Sequence, residues 1–325
     1  MSQKRSLTIG GVIIILAVVA TLTVWRPWHS ETTATKLKII NVGSFLEAID
    51  YGPYLVAKNK GWFEEEFKKE GITVKYSTFQ TLPPINESFA TGRVDVVFEA
   101  ETPAVIGKAA GIDLRIVALS ASLMQEIVTP TNSKIKELED LKGKKIAVLA
   151  GTGSHYGLLK VLKKVGIKSS DVSIIDMFPP AAKNAFETGQ VDAWAVWPPF
   201  VEQEVISKKG RIIPKGSAAI QSVMVVRGEF IKKYPMIVHK LVKVLQRAKK
   251  WTKENPEEAQ KIIAEELNIP IEVVKLAWSR HDWAAKINDE ITNDIQLKAN
   301  FFYENKFVKK KVEVKNELLD LSFEK

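Results

Sequence analysis

The stretch Gly151–Leu162, "GTGSHYGLLKVL", has the composition of an anion-binding turn between a strand and a helix. The first amides of a helix have no partner within the helix, and together they carry about half a positive charge. Gly151 and Gly153 would let a ligand approach the backbone, and Ser154 could cap the helix or donate its hydroxyl. These residues indicate either a seat for a small anion or a capping turn without a ligand.

The spacing of the glycines does not fit a nucleotide site. A P-loop requires a lysine followed by serine or threonine after its last glycine, and "GTGSHYG" has no such pair. A dinucleotide fingerprint has three spaced glycines in the first βα unit, whereas the spacing here is off by one and lies mid-chain. Neither kind of nucleotide site is supported.

Three further predicted turns have small hydroxyl residues and a proline ahead of a helix. They are "NVGSFLEAIDYGP" from Asn41, "TFQTLPP" from Thr78 and "EAETPAV" from Glu99. Four such turns around one cleft favour a polar pocket built from helix amino termini. The turns lack lysine and arginine, which favours a singly charged anion, and a carboxylate could pair an amine on the same ligand. The acids in and near them are Glu47, Asp50, Glu99, Glu101 and Asp192.

The segment Val191–Phe200, "VDAWAVWPPF", supplies aromatic side chains for the same cleft. Trp194 and Trp197 are three residues apart, so in a strand they point to opposite faces. One of them is therefore expected in the core and the other in the cleft. Phe45 and Tyr51 are candidates for further apolar walls.

No catalytic, metal or cofactor site is predicted. The chain has no cysteine, which excludes disulfides, thiolate metal sites and a cysteine nucleophile. Histidine spacings typical of metal ligands are absent from its four histidines. His155 follows Ser154 directly, but adjacent residues at a helix start point in different directions, so the pair does not predict a catalytic dyad.

Strand and helix patterns alternate along the 325 residues, which predicts an α/β fold with two lobes. Each lobe is expected to have a mostly parallel sheet flanked by helices, with the ligand cleft between the lobes. The predicted boundaries are 36–122 together with 219–325 for lobe 1 and 123–218 for lobe 2. The polar stretch Thr129–Lys145 is the expected crossing, and residues 1–35 are a separate leader and linker.

The leader indicates export. Leu7–Trp25 carries no charge and follows "MSQKR", and it is near the length of about 17–25 residues that spans a bilayer. We expect a periplasmic or cell-surface protein, either released or anchored by this segment. The net charge of +9 comes from lysines scattered along amphipathic segments, so nucleic acid is not an expected partner.

At these segments the chain resembles the solute-binding proteins of bacterial ABC importers for aliphatic sulfonates, taurine and nitrate. The resemblance runs from about Lys36 to Phe307 through "GPYLVAKNKGWFEEE", "INESFATGRVDVVFEAETPAVIGKAAG", "DLKGKKIAVLAGTGSHYGLLKVL" and "VDAWAVWPPF". It implies a hinged periplasmic-binding-protein fold of type II, a monomer, and a permease with its ATPase as partners. It also implies an anionic head group at helix amino termini and a substituent against aromatic side chains.

The residues expected to bind the ligand combine the resemblance with the turns above. Glu99 and the "PPF" after Trp197 depart from the family pattern. The expected ligand-binding residues are Ser44, Phe45, Tyr51, Gln80, Thr81, Glu101, Thr102, Thr152, Ser154, His155, Trp194 and Trp197.

Ligand size favours a sulfonate over nitrate. The best small ligands gain about 1.5 kcal/mol per heavy atom, and micromolar binding needs about 8 kcal/mol. Nitrate, with about four heavy atoms, reaches about 6 kcal/mol, whereas a taurine-sized sulfonate with about seven exceeds 8 kcal/mol. We therefore expect a protein that closes around an alkanesulfonate or taurine and does not catalyse a reaction.

Other functions on the same fold remain alternatives. Nitrate is one, and the pair Glu99 and Glu101 suggests another, a neutral or cationic vitamin precursor of the thiamin-pyrimidine type. An enzyme is disfavoured because a sulfinate desulfinase and a thiamin-pyrimidine synthase, which resemble this family, use cysteines that this chain lacks. The sensor half of a receptor is disfavoured too, since no kinase segment follows.

Overall fold

Strands and helices alternate along the chain as the sequence predicts. The computed structural model describes residues 37–45, 48–80 and 82–323. The predicted segment Leu7–Trp25 lies outside these residues, and none of the helices within them combines the length and apolar character needed to cross a membrane. The strands are β1 (Ile39–Phe45), β2 (Thr73–Phe79), β3 (Val96–Ala100), β4 (Leu114–Pro130), β5 (Lys145–Val148), β6 (Ser173–Asp176), β7 (Ala193–Val196), β8 (Gly210–Ile212), β9 (Ala218–Arg227) and β10 (His281–Asp282).

The helices flank the strands on both faces, and a short 3₁₀ helix at Ile49–Tyr51 precedes the first of them. They are α1 (Gly52–Asn59), α2 (Trp62–Phe67), α3 (Leu82–Ala90), α4 (Glu101–Ala109), α5 (Gly153–Lys164), α6 (Pro179–Glu187), α7 (Phe200–Ile206), α8 (Gly228–Lys233), α9 (Pro235–Glu254), α10 (Pro256–Leu267), α11 (Ile271–Trp278) and α12 (Asp289–Glu304).

The first sheet has the order β2-β1-β3-β9-β4. Its strands β2, β1 and β3 are parallel, as predicted, while β9 and β4 add antiparallel pairs. Val96 and Phe98 face a core shared with α1, α2, α9, α10 and α11, whereas Val97 faces a core shared with α3, α4 and α12. The alternation follows from the two-residue period of a strand, and it buries both faces of the sheet.

The second sheet has the order β4-β7-β5-β6, with β5 parallel to both of its neighbours. Ile146 and Val148 of β5 pack with α5 on one face. Ala147 and Trp194 pack with α6 and α7 on the other face. The sequence is apolar at successive positions in these strands because each strand is covered on both sides.

Strand β4 belongs to both sheets. It is 17 residues long, and its partner changes from β9, up to Gln125, to β7, from Glu126 onward. The prediction that Thr129–Lys145 makes this crossing is wrong, because β4 already pairs with β7 at Glu126–Val128 and the chain passes between the sheets as a paired strand. The division into lobes at the predicted residues stays a prediction.

The carboxyl-terminal part is helical as predicted, with one difference. The helix expected over Glu229–Trp251 is divided into α8 and α9 at Tyr234. Tyr234 has φ −135° and ψ 53°, outside the helical region, and Pro235 follows it. A proline disfavours helical geometry in the residue before it, which explains the break.

Candidate functional site

A small cavity lies where residues of both sheets and their helices meet. Its volume is about 30 Å³, which suffices for roughly two water molecules. No lysine or arginine is among the described residues that line it. The lining residues are Phe45, Ala48, Asp50, Tyr51, Ala100, Thr102, Pro103, Leu123, Thr152, Gly153, Trp197 and Ile220.

The turn before α5 reaches this cavity through Thr152 and Gly153. Thr152 is the N-cap: its hydroxyl donates to Leu149 O at 2.7 Å and accepts from the His155 amide at 3.4 Å. Gly151 has φ +76°, a left-handed value that favours glycine. A Cβ on Gly153 would lie 2.8 Å from Ile220 Cγ1, so glycine is needed for α5 to approach β9. The sequence motif therefore shapes a helix amino terminus that faces the cavity.

A second helix amino terminus, that of α4, faces the same cavity through Ala100 and Thr102. Ala100 is its N-cap and has no side chain able to satisfy the first amides. Thr102 is fully buried, and its Oγ1 has no hydrogen-bond partner in the part of the chain that the structure describes. A buried hydroxyl without a partner costs free energy, and here it lies beside a cavity.

The prediction that the two tryptophans point to opposite faces of a strand is wrong, because β7 ends at Val196 and both rings contact Phe200 beside the same core. Trp197 lines the cavity and makes an edge contact with Phe200, whose ring centroid is 6.2 Å away. Trp194 is 1% exposed and packs against Phe186 in the core beneath α6 and α7. Trp194 does not line the cavity, and its expected contact with the ligand stays a prediction.

Other predicted site residues lie near the cavity without lining it. Ser44 and Ser154 are fully buried, and neither hydroxyl has a partner within the described ranges. Gln80 is exposed away from the lining, and Thr81 lies outside the described residues.

His155 supports the turn and does not line the cavity. Its Nδ1 accepts from the Gly151 amide at 3.5 Å, and its ring packs edge-on against Phe301 and Phe307. Burial lowers the pKa of His155 below its ordinary value, so the ring is neutral at neutral pH. A neutral ring on this side of the turn fits a role in positioning the turn.

Glu101 is held by a cation of the protein itself. Its Oε1 pairs with Lys298 Nζ, and its Oε2 accepts from the Gln221 amide at 2.9 Å. Lys298 also donates to Asp294 Oδ2 at 2.7 Å and to Ala219 O at 2.9 Å. The carboxylate of Glu101 joins α4, β9 and α12 and does not line the cavity, and its expected contact with the ligand stays a prediction.

Lys298 is the buried counter-ion of Glu101, and the sequence did not predict this role. It is 0% exposed, and the carboxylates of Glu101 and Asp294 raise its pKa although burial alone would lower it. The one sequence signal was the spacing of Asp294 and Lys298, four residues apart on a helix. Such pairs are common on helix surfaces, so the spacing did not indicate burial.

Asp50 is the acid that does line the cavity. It is 4% exposed, and its Oδ1 has no hydrogen-bond partner among the described residues. Burial raises the pKa of Asp50 to about 7, with a hydrogen bond from its own backbone opposing the rise and the charge of Glu101 adding to it. The sequence predicted that Asp50 lies in a turn beside the cleft. It did not indicate that Asp50, and not another acid of these turns, lines the cavity.

Glu99 directly precedes Ala100, which lines the cavity, but Glu99 itself does not line it. Its side chain is buried in β3 opposite Val223 of β9. Burial raises the pKa of Glu99 to about 8. Over the described ranges, no group of three or more His, Asp or Glu side chains is placed to hold a metal ion.

Comparison with known proteins shows which family the chain belongs to. A profile described as NMT1/THI5 like matches residues 48–259, which is more than half of the chain. The chain belongs to the NMT1/THI5-like family. Over 94% of its length, this family member is 33% identical to a Bacillus subtilis (strain 168) protein named as an aliphatic sulfonates-binding protein, of which it covers 93%.

Two further proteins are similar to this NMT1/THI5-like chain. The taurine-binding periplasmic protein of Escherichia coli (strain K12) is 30% identical over 54% of the chain and 56% of that protein. The crystal structure of the periplasmic aliphatic sulphonate binding protein SsuA from Escherichia coli has a TM-score of 0.76 at 24% identity, and the match covers 86% of this chain and 97% of that one. The predicted periplasmic-binding-protein fold is confirmed.

Proposed function

We propose that the chain is an extracytoplasmic solute-binding protein that captures a small sulfonate and delivers it to an ABC importer. The observation that carries the proposal is the convergence of the amino termini of α4 and α5 on one cavity with an aromatic wall. The names of the similar proteins support it, since they refer to aliphatic sulfonates and taurine. A permease and its ATPase are the partners that this role requires.

The charge of the site suits a single negative charge. Each helix amino terminus presents about half a positive charge, so two of them supply about one. The Thr102 hydroxyl adds an unused donor at the cavity wall. No lysine or arginine of the described lining adds charge, so a doubly charged phosphate would be poorly compensated.

The small size of the cavity supports the proposal that the ligand enters by movement of the surrounding helices. A volume of about 30 Å³ is too small for a sulfonate with its substituent. Entry therefore requires the helices α4 and α5 to separate, which bending of β4 and β9 would allow because these strands connect the two sheets. We propose that α4 and α5 close around the bound anion, whose site their amino termini already form, and that the protein binds the ligand without catalysing a reaction.

Isothermal titration of the purified full chain tests the proposed function. We expect taurine and short alkanesulfonates to release or absorb measurable heat with micromolar or tighter binding, and nitrate to bind far more weakly. If no sulfonate binds at millimolar concentration, the proposed function is rejected.

Changing Thr102 to valine is expected to weaken sulfonate binding about tenfold or more. A hydrogen bond to a charged group contributes about 1.5–3 kcal/mol, and valine keeps the shape of threonine without its hydroxyl. The free energy of unfolding should stay the same or rise, because the buried Oγ1 has no partner in the described structure.

Thr252→Val is the matched control for Thr102→Val. Thr252 is also fully buried and its Oγ1 also lacks a partner among the described residues, but it lies in α9 and does not line the cavity. We expect Thr252→Val to leave the titration curve unchanged. Equal affinities of the Thr102 variant and the unchanged protein would show that the anion does not meet this hydroxyl.

A further inference from the structure

Asp50 stands out because it is a buried acid with an unused oxygen at the wall of a cavity. Its side chain is 4% exposed, and Oδ1 has no hydrogen-bond partner in the described part of the chain. The other groups at the same wall are the apolar and aromatic side chains, two threonines and a glycine. None of these carries a positive charge that could balance a carboxylate.

The neighbouring acids do not compete for the same role. Glu101 already has Lys298 as its counter-ion and the Gln221 amide as a donor. Glu99 is buried in β3 and does not line the cavity. Asp50 is thus the one carboxylate of the described lining residues that a ligand could reach.

An ionised carboxylate at this position would not favour the binding of a ligand that is only an anion. A sulfonate bound beside an ionised Asp50 would be repelled, because both groups carry a negative charge and line the same site. A ligand with an ammonium group at its other end turns this repulsion into a charge-assisted hydrogen bond. The same ligand would satisfy Oδ1, which is otherwise a buried acceptor without a donor.

We propose that Asp50 recognises an ammonium group, so that the site takes a zwitterion with a sulfonate at one end and a primary amine at the other. This inference rests on the proposed function, because it assigns the anionic end to the amino termini of α4 and α5. It adds a specificity-determining residue, and it names aminosulfonates as the preferred class over plain alkanesulfonates.

The arrangement also predicts that the affinity for the ligand depends on pH. Burial, and to a smaller extent Glu101, raises the pKa of Asp50 to about 7, so its charge changes near neutral pH. The other charge that acts on Asp50 is that of Glu101, which pairs with Lys298 of α12. Tyr51 in the same turn is the next ionisable group, and the charges of Asp50, Glu99 and Glu101 all act on it. Only ionised Asp50 accepts from an ammonium, so affinity for an aminosulfonate should rise between pH 6 and pH 8. Affinity for a sulfonate without an amine should not rise over that range.

The experiment compares taurine with isethionate, which has a hydroxyl in place of the amine. Both are titrated into the full chain and into Asp50→Asn and Glu99→Gln at pH 7.5 by calorimetry. We expect the unchanged chain to bind taurine at least tenfold more tightly than isethionate. Asp50→Asn should reduce that ratio to about one, while Glu99→Gln, which removes a buried acid that does not line the cavity, should keep it.

The outcomes separate the two proposals. Equal affinities of the unchanged chain for both compounds, or an unaltered ratio in Asp50→Asn, would overturn the role of Asp50 and leave sulfonate capture standing. Absence of binding by either compound rejects sulfonate capture, and the assignment of Asp50 with it. If Asp50→Asn does not fold, the taurine affinity of the unchanged chain at pH 6 and pH 8 decides, and a flat profile overturns the assignment.

Discussion

Replacing Lys298 with methionine is expected to lower the free energy of unfolding by about 3–5 kcal/mol. Lys298 is 0% exposed and is the counter-ion of Glu101, which is itself fully buried. Methionine fills a similar volume, so the loss comes from leaving a buried carboxylate without a cation. Glu101 must then remain charged without a counter-ion or take up a proton, and both cost free energy. Urea denaturation followed by circular dichroism measures the change.

A matched lysine and a double variant control this prediction. Lys240 also pairs with two carboxylates, those of Glu66 and Glu70, but its side chain is 31% exposed. Lys240→Met is expected to cost less than about 1 kcal/mol, since solvent already screens that pair. Adding Glu101→Gln to Lys298→Met should restore part of the lost stability. A Lys298→Met protein as stable as the unchanged one would contradict the structural role of this cluster.

The two tryptophans of the second sheet are expected to respond in opposite ways to truncation. Trp194→Ala should cost about 3–5 kcal/mol of unfolding free energy, because it leaves a large void in the core beneath α6 and α7. Trp197→Ala should cost far less stability, since the side chain is only partly buried, yet it should weaken sulfonate binding about tenfold, which corresponds to about 1.4 kcal/mol.

Thermal unfolding and calorimetric titration of both variants test this pair of expectations. The binding of sulfonates by Trp194→Ala is measured at low temperature, where most of this destabilised protein is folded. If Trp197→Ala binds sulfonates as the unchanged chain does, the aromatic wall has no part in recognition. Similar losses of stability in both variants would contradict the assignment of Trp194 to the core and Trp197 to the cavity wall.

Local chemistry made much of the fold predictable. The glycines at the start of α5, the proline in the first turn of α4 and the two-residue period of β7 depend on neighbours within a few positions. For that reason the start of α5 follows from the sequence, whereas the period of β7 did not predict the side chain of Trp197, which lies beyond the end of the strand. The extent of β4 does not, because a run ending in "EIVTP" is compatible with a strand or a linker until its partners β7 and β8 are known.

The charged residues of the site illustrate what local reasoning cannot reach. Glu101 and Lys298 are 197 positions apart, and no feature near either one indicates the other. Without that pairing, Glu101 is as good a candidate for a ligand contact as Asp50. Only the packing of α12 against α4 shows that one carboxylate is already neutralised and the other is available.

The strand β4, which joins both sheets, also has a consequence for how the chain folds. The second sheet uses the far end of β4 with β5, β6, β7 and β8, all within residues 126–212. The first sheet needs β9 between β3 and β4, so it stays incomplete until residues 218–227 are present. Contacts that are local in sequence form sooner than distant ones.

Folding is therefore expected to begin in the middle of the chain. Pulse-labelling hydrogen exchange during refolding should find the amides of β5 and β7 protected before those of β1 and β3, and the reverse order would contradict this sequence of events. The amino-terminal strands would then wait for β9, so the part synthesised first would be among the last to reach its final structure.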